Sequence, residues 1–135
     1  MIKSFLVCDS IGYPFYSKRT NSSIQEFEPE ILSGLLSAIS TIGKNLFNKE
    51  IANITFGDNA EFGITIISKE LFGKDKSIYF VFVSEGSIDL KKARSLCTNI
   101  FIETKQVLKN PHEAKLNIED KIDRILSYKF DLSQI

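Results

Sequence analysis

Apolar and polar positions along the chain follow two periods, and their order predicts strand, strand, helix, three strands and two helices. Ile2-Lys3-Ser4-Phe5-Leu6-Val7-Cys8 and Tyr13-Pro14-Phe15-Tyr16-Ser17-Lys18 read as strands. Between them, Asp9-Ser10-Ile11-Gly12 offers a side chain that can bond its own backbone and a glycine that tolerates positive φ. These runs therefore predict a hairpin. Pro14 has no N–H to donate, which assigns the second strand to a sheet edge or to the start of its run.

A long helix is expected from Pro29, which suits the first helical position, with Glu28 and Glu30 at the positive end of the helix dipole. Ile31, Leu32, Leu35, Leu36, Ile39, Ile42 and Leu46 recur at three- and four-residue steps and predict one broad apolar face toward the core. The outward positions would then be Ser33, Gly34, Ser37, Ala38, Ser40 and Thr41, with no charged residue between Ile31 and Gly43. A solvent-facing helix side ordinarily carries Lys and Glu. Small neutral side chains let another backbone approach closely. Two readings follow: a later segment of the same chain covers this flank, or another protein or a second copy docks there.

Residues 51–56 and 60–68 and the run Ser77-Ile78-Tyr79-Phe80-Val81-Phe82-Val83 predict an antiparallel meander, interrupted by turn clusters at Gly57-Asp58-Asn59 and around Gly73. The last strand is apolar on both faces, as a central strand is. Ser87 or Asp89 can cap the next helix, which turns Leu90, Ala93, Leu96, Cys97, Ile100, Phe101, Thr104, Val107 and Leu108 to one side and ends at Asn110-Pro111. A further amphipathic helix is expected over about 117–130, with Asn117 and Asp120 resembling a capping pair and Ile118, Ile122, Ile125 and Leu126 on one face. It either packs on the domain or serves as a detachable arm.

At 135 residues the chain is sized for a single domain over 1–135, large enough to bury a core without a disulfide or metal. Lys plus Arg equals Asp plus Glu at 17 each, so the chain lacks the cationic excess on which general nucleic-acid binding rests. Cys8 and Cys97 lie in separate apolar stretches; they could form one disulfide, and the favoured reading is two buried, reduced thiols. No apolar run is long enough to span a bilayer, and no targeting or lipidation signal is visible, so a soluble, cytoplasmic protein is expected.

No catalytic constellation stands out, so the chain reads as no enzyme, with no cofactor and no metal site. His112 is the sole histidine and sits in a polar loop. Phosphate-cradling and nucleophile-elbow motifs are absent. The carboxylates Asp58 and Glu61, and Glu119, Asp120 and Asp123, are explained by turn chemistry and a solvated helix face. Lys69, Lys74 and Lys76 with Lys91, Lys92 and Arg94 read as solvated charge interspersed with acids, or as a patch for lipid headgroups or an acidic partner.

The opening IKSFLVCDSIGYPFYSKRT, the helix EPEILSGLLSAISTIGKNLF and the meander ending in KSIYFVFV together resemble the longin domain, a profilin-like α/β sandwich, and its relative the roadblock domain. The resemblance covers about residues 2–109, and the last helix is similar to the extra C-terminal helix of many longins. A chain opening directly in a strand resembles longin more than roadblock, and this style of opening is similar to stand-alone longin-like proteins of archaea. The resemblance implies a five-stranded antiparallel sheet in the order β-β-α-β-β-β-α-α with helices packed on it. It also implies a non-enzymatic module that forms homodimers or heterodimers with other longin or roadblock proteins. Such pairs serve as platforms or regulators of small Ras-like GTPases, or as adaptors and tethers in vesicle trafficking at membranes. In related platforms the first long helix faces the mate or the GTPase, which favours docking and points to Gly34, Ser37, Ala38 and Thr41. An arginine-supplying GTPase activator would have to use Arg19, Arg94 or Arg124. The competing reading is a small-ligand sensor of PAS or GAF type, which would keep a cavity between sheet and helices, where this sequence places Phe and Ile.

Overall fold

The computed structural model describes residues 1–20, 28–71, 77–108 and 115–135. The strands are β1 (Ile2–Asp9), β2 (Pro14–Arg19), β3 (Asn53–Phe56), β4 (Phe62–Glu70) and β5 (Ser77–Glu85). The helices are α1 (Pro29–Phe47) between β2 and β3, then α2 (Leu90–Leu108) and α3 (Lys115–Tyr128), followed by a 3-10 turn at Leu132–Gln134. All five strands join one antiparallel sheet in the order β2-β1-β5-β4-β3. Element order and sheet match the β-β-α-β-β-β-α-α expectation.

The β1–β2 turn forms as its residues dictate. Asp9 Oδ1 accepts the N–H groups of Ile11 at 3.1 Å and Tyr13 at 2.8 Å, and Gly12 takes φ +98°. Pro14 opens β2, which is an outer strand, so its missing N–H leaves no gap in the ladder. β5 is the middle strand, buried on both sides as its continuous apolar run requires.

Register sorts the sheet into two faces. Phe5 opposes Phe82 and Val7 opposes Phe80 on the side covered by α2 and α3. Leu6 opposes Val81 and Cys8 opposes Tyr79 on the side covered by α1. The larger core lies under α2 and α3, where Leu96, Ile100, Ile118 and Ile122 pack on Phe5, Phe15, Phe80 and Phe82. Each such side chain taken out of water contributes roughly 1.5–3 kcal/mol before entropy is counted. Cys8 and Cys97 are buried free thiols on opposite sides of the sheet, which separates them.

Several sequence expectations shift. β3 starts at Asn53 rather than Ile51, and β4 runs from Phe62 to Glu70 rather than from Ala60 to Ser68. Residues 57–61 form the turn instead, with Gly57 at φ +93° and Ala60 at φ +54°. Asp89, not Ser87, caps α2, its Oδ1 accepting the Lys92 N–H at 3.2 Å. Leu90, expected on the packed side, is 44% exposed. Asn117 lies inside α3 and so does not cap it. α3 packs on the domain through Ile118, Ile122, Ile125 and Leu126, and Asp123 accepts the Tyr16 hydroxyl at 2.6 Å. The Asn110-Pro111 stop, His112, Gly73, Lys74 and Lys76 lie outside the described residues.

Candidate docking face

α1 begins at Pro29, with Glu30 in its first turn, and ends where Asn48 turns left-handed at φ +53° and donates its N–H to the Lys44 carbonyl. It lies on the sheet through Leu32, Ser33, Leu36 and Ser40. Leu32 and Leu36 fill the smaller core with Leu6, Cys8, Ile64, Ile66, Tyr79 and Val81.

Serines fasten the same helix to strand and turn. Ser33 Oγ donates to the Gly12 carbonyl at 2.8 Å, and Ser37 Oγ to the Ser10 carbonyl at 2.8 Å. Ser40 is bonded to the Tyr79 hydroxyl, which donates to Glu50 Oε2 at 2.9 Å, and Glu50 pairs with Lys44 at 3.0 Å. Burial pushes the Tyr79 phenol up to about 12; the bond from Ser40 opposes this, and Glu50 adds to it.

This arrangement reverses part of the sequence reading. Ser33 and Ser40, expected outside, are buried; Ile31, Leu35, Ile42 and Leu46, expected inside, are 64%, 51%, 57% and 68% exposed. Seven apolar positions span a wider arc than one sheet contact can cover. The arc containing the serines seats against the sheet because each serine finds an oxygen partner there. What remains outside is an uncharged stripe, Ile31–Leu35–Ala38–Ile42, stepping by four, three and four residues as helix-pairing seams do.

The four candidate site residues divide accordingly. Ala38 belongs to this stripe, Gly34 and Thr41 are exposed beside it, and Thr41 Oγ1 donates to the Ser37 carbonyl at 2.9 Å. Ser37 is half-buried and holds the β1–β2 turn, an earlier segment of the chain rather than a later one. A Cβ added at Gly34 would meet nothing within 4 Å, so no contact within the chain requires glycine there.

The β3–β4 hairpin contributes further apolar surface. Phe56 and Phe62 oppose each other across the ladder and are 54% and 51% exposed. Strand alternation from Ile64 and Ile66 puts Phe62 and its partner Phe56 on the α1 side of the sheet. β3, only four residues long, is the outer strand there. The signal was present in the sequence: two aromatics flank the turn at 57–61 symmetrically.

Other candidate groups are dispersed. Arg19 ends β2, Arg94 is on α2 and Arg124 on α3. Among the described residues no cluster of three His, Cys, Asp or Glu could hold a metal ion, and no helix is long and apolar enough to cross a membrane. A groove of about 530 Å³ lies over β3 and β4 near the start of α2.

No family model matches the chain, and no curated protein matches it. Solved structures do. The gliding protein MglB from Thermus thermophilus superposes with a TM-score of 0.50, at 16% identity, over 89% of this chain and 79% of that one. The fold is of the longin/roadblock type. An MglB with tetrameric arrangement also matches, with a TM-score of 0.40 at 15% identity, over 61% of this chain and 60% of the other. In this longin/roadblock-type fold, α1 carries the exposed apolar stripe over the β1–β2 end of the sheet, and β3 is the outer strand at the other end.

Proposed function

We propose that the chain is a non-enzymatic interaction module that pairs with a second copy, or with another longin or roadblock protein, through the outer face of α1. The pair then serves as a platform for a small Ras-like GTPase, in the cytoplasm or peripherally at a membrane engaged in trafficking.

One observation carries this reading: the uncharged stripe Ile31–Leu35–Ala38–Ile42 stands in water on the same side of the sheet as exposed Phe56 and Phe62. Apolar surface gathered in this way marks a contact with another macromolecule. Gly34 and Ala38 let a second helix backbone approach, and no contact within the chain requires the glycine. An uncharged stripe is also compatible with its own copy across a two-fold axis, since no like charges meet there.

Affinity capture tests the GTPase half. The tagged wild-type chain is expected to retain a small GTPase from native lysate, and Ala38→Arg to lose it while staying folded. Equal retention by the variant contradicts the docking face; absence of any GTPase from the wild-type capture contradicts the platform role.

A further inference from the structure

The side of the sheet away from α1 holds a groove of about 530 Å³, within the roughly 300–1,000 Å³ range of small-molecule sites. Its floor follows from strand register. Phe82 lies on the α2 side, so its partner Thr65, and Asn53 opposite Thr65, lie there too. Gly63 and Thr55 form the neighbouring row. α3 packs against β2 and α2 reaches β4, so β3 lies beyond the main helix cover on this side. The walls are Ile67, Ile88, Leu90 and Arg94.

Ser84 in this groove donates to the Gly86 carbonyl at 3.1 Å, but four other polar side chains are not used by the fold. Asn53, Thr55 and Thr65 make no side-chain hydrogen bond, and Arg94 makes no ion pair, among the described residues. Asp89, the carboxylate nearest to Arg94 along the chain, is occupied in capping α2. Gly63 keeps the floor open without backbone need: its φ is not positive, and an added Cβ would meet only the Ile54 carbonyl, at 3.7 Å.

We propose that this groove binds a small organic anion. Its carboxylate or phosphate pairs with Arg94, its polar edge bonds Asn53, Thr55 and Thr65, and its apolar part lies on Ile67, Ile88 and Leu90. A guanidinium without a carboxylate partner among the described residues fits such an oxyanion in a two-point fork. The groove faces away from α1, so the proposal stands apart from the docking face.

Hexyl phosphate, hexanoate and neutral 1-hexanol, each titrated into the full chain and followed by amide NMR, test it. At least one of the two anions is expected to shift Thr65, Ile67 and Arg94 saturably and to bind about tenfold more tightly than the alcohol. Which anion wins separates a phosphate ester from a carboxylate. Arg94→Gln, a surface change, should bring the anion down to the level of the alcohol. Gly63→Val should abolish binding with the melting temperature retained. Absence of saturable shifts with both anions on the wild-type chain overturns the proposal, as does undiminished anion binding by Arg94→Gln.

Discussion

Tyr79 is where the residue scale matters most, because its hydroxyl joins α1 to the centre of the sheet through Ser40 and to Glu50 beyond it. Tyr79→Phe strands the Ser40 hydroxyl in a site where Ser40 is 2% exposed. A loss of roughly 1–3 kcal/mol is expected in urea unfolding. Gly34→Ala should act in the opposite direction: the position is helical and open, so stability rises by about 0.5–1 kcal/mol in the same experiment. The hairpin turn was legible in the sequence, because Asp9 and Gly12 act on their immediate neighbours. The roles of Ser33 and Ser40 were not, since their partners Gly12 and Tyr79 lie far away in sequence.

At the scale of elements, periodicity placed α1 and α2 well and identified β5 as a central strand. It could not say which arc of α1 meets the sheet. Period analysis weighs apolar against polar, and here three serines with waiting oxygen partners seat the helix while Ile31, Leu35 and Ile42 face water. The same limit hid Phe56 and Phe62, whose strand pattern is that of core residues but whose hairpin reaches beyond the cover of α1. Helix capping gives a sharper check. Ser87 and Asp89 were equivalent in sequence, and the bond from the Lys92 N–H selects Asp89. Asp89→Ala should cost about 1 kcal/mol in thermal or urea unfolding, with Ser87→Ala close to neutral.

The whole molecule carries no net charge, yet its neutral surface is concentrated on one helix. Its stability at alkaline pH depends on thiols and phenols that stay protonated in the fold. Burial pushes the Cys8 thiol up to about 12 from 9.0, and Cys97 also rises through burial. Tyr16 rises through burial and then its bond to Asp123, and Tyr79 climbs to about 12 from 10.0. A raised folded-state value means that the native state holds its proton more tightly than the unfolded chain does. The stability it contributes is complete below the unfolded values near 9 and 10 and is lost as pH climbs toward 12. The melting temperature should therefore fall as pH rises from about 9 toward about 12; a flat profile there would contradict the burial of these groups. Sedimentation equilibrium of the wild-type chain and Ala38→Arg across micromolar concentrations tests the docking face most directly. The wild-type chain should self-associate into a dimer, and the variant should remain a folded monomer. A wild-type chain that is monomeric throughout would contradict pairing with a second copy, and a variant that dimerises as well as wild type would contradict the docking face.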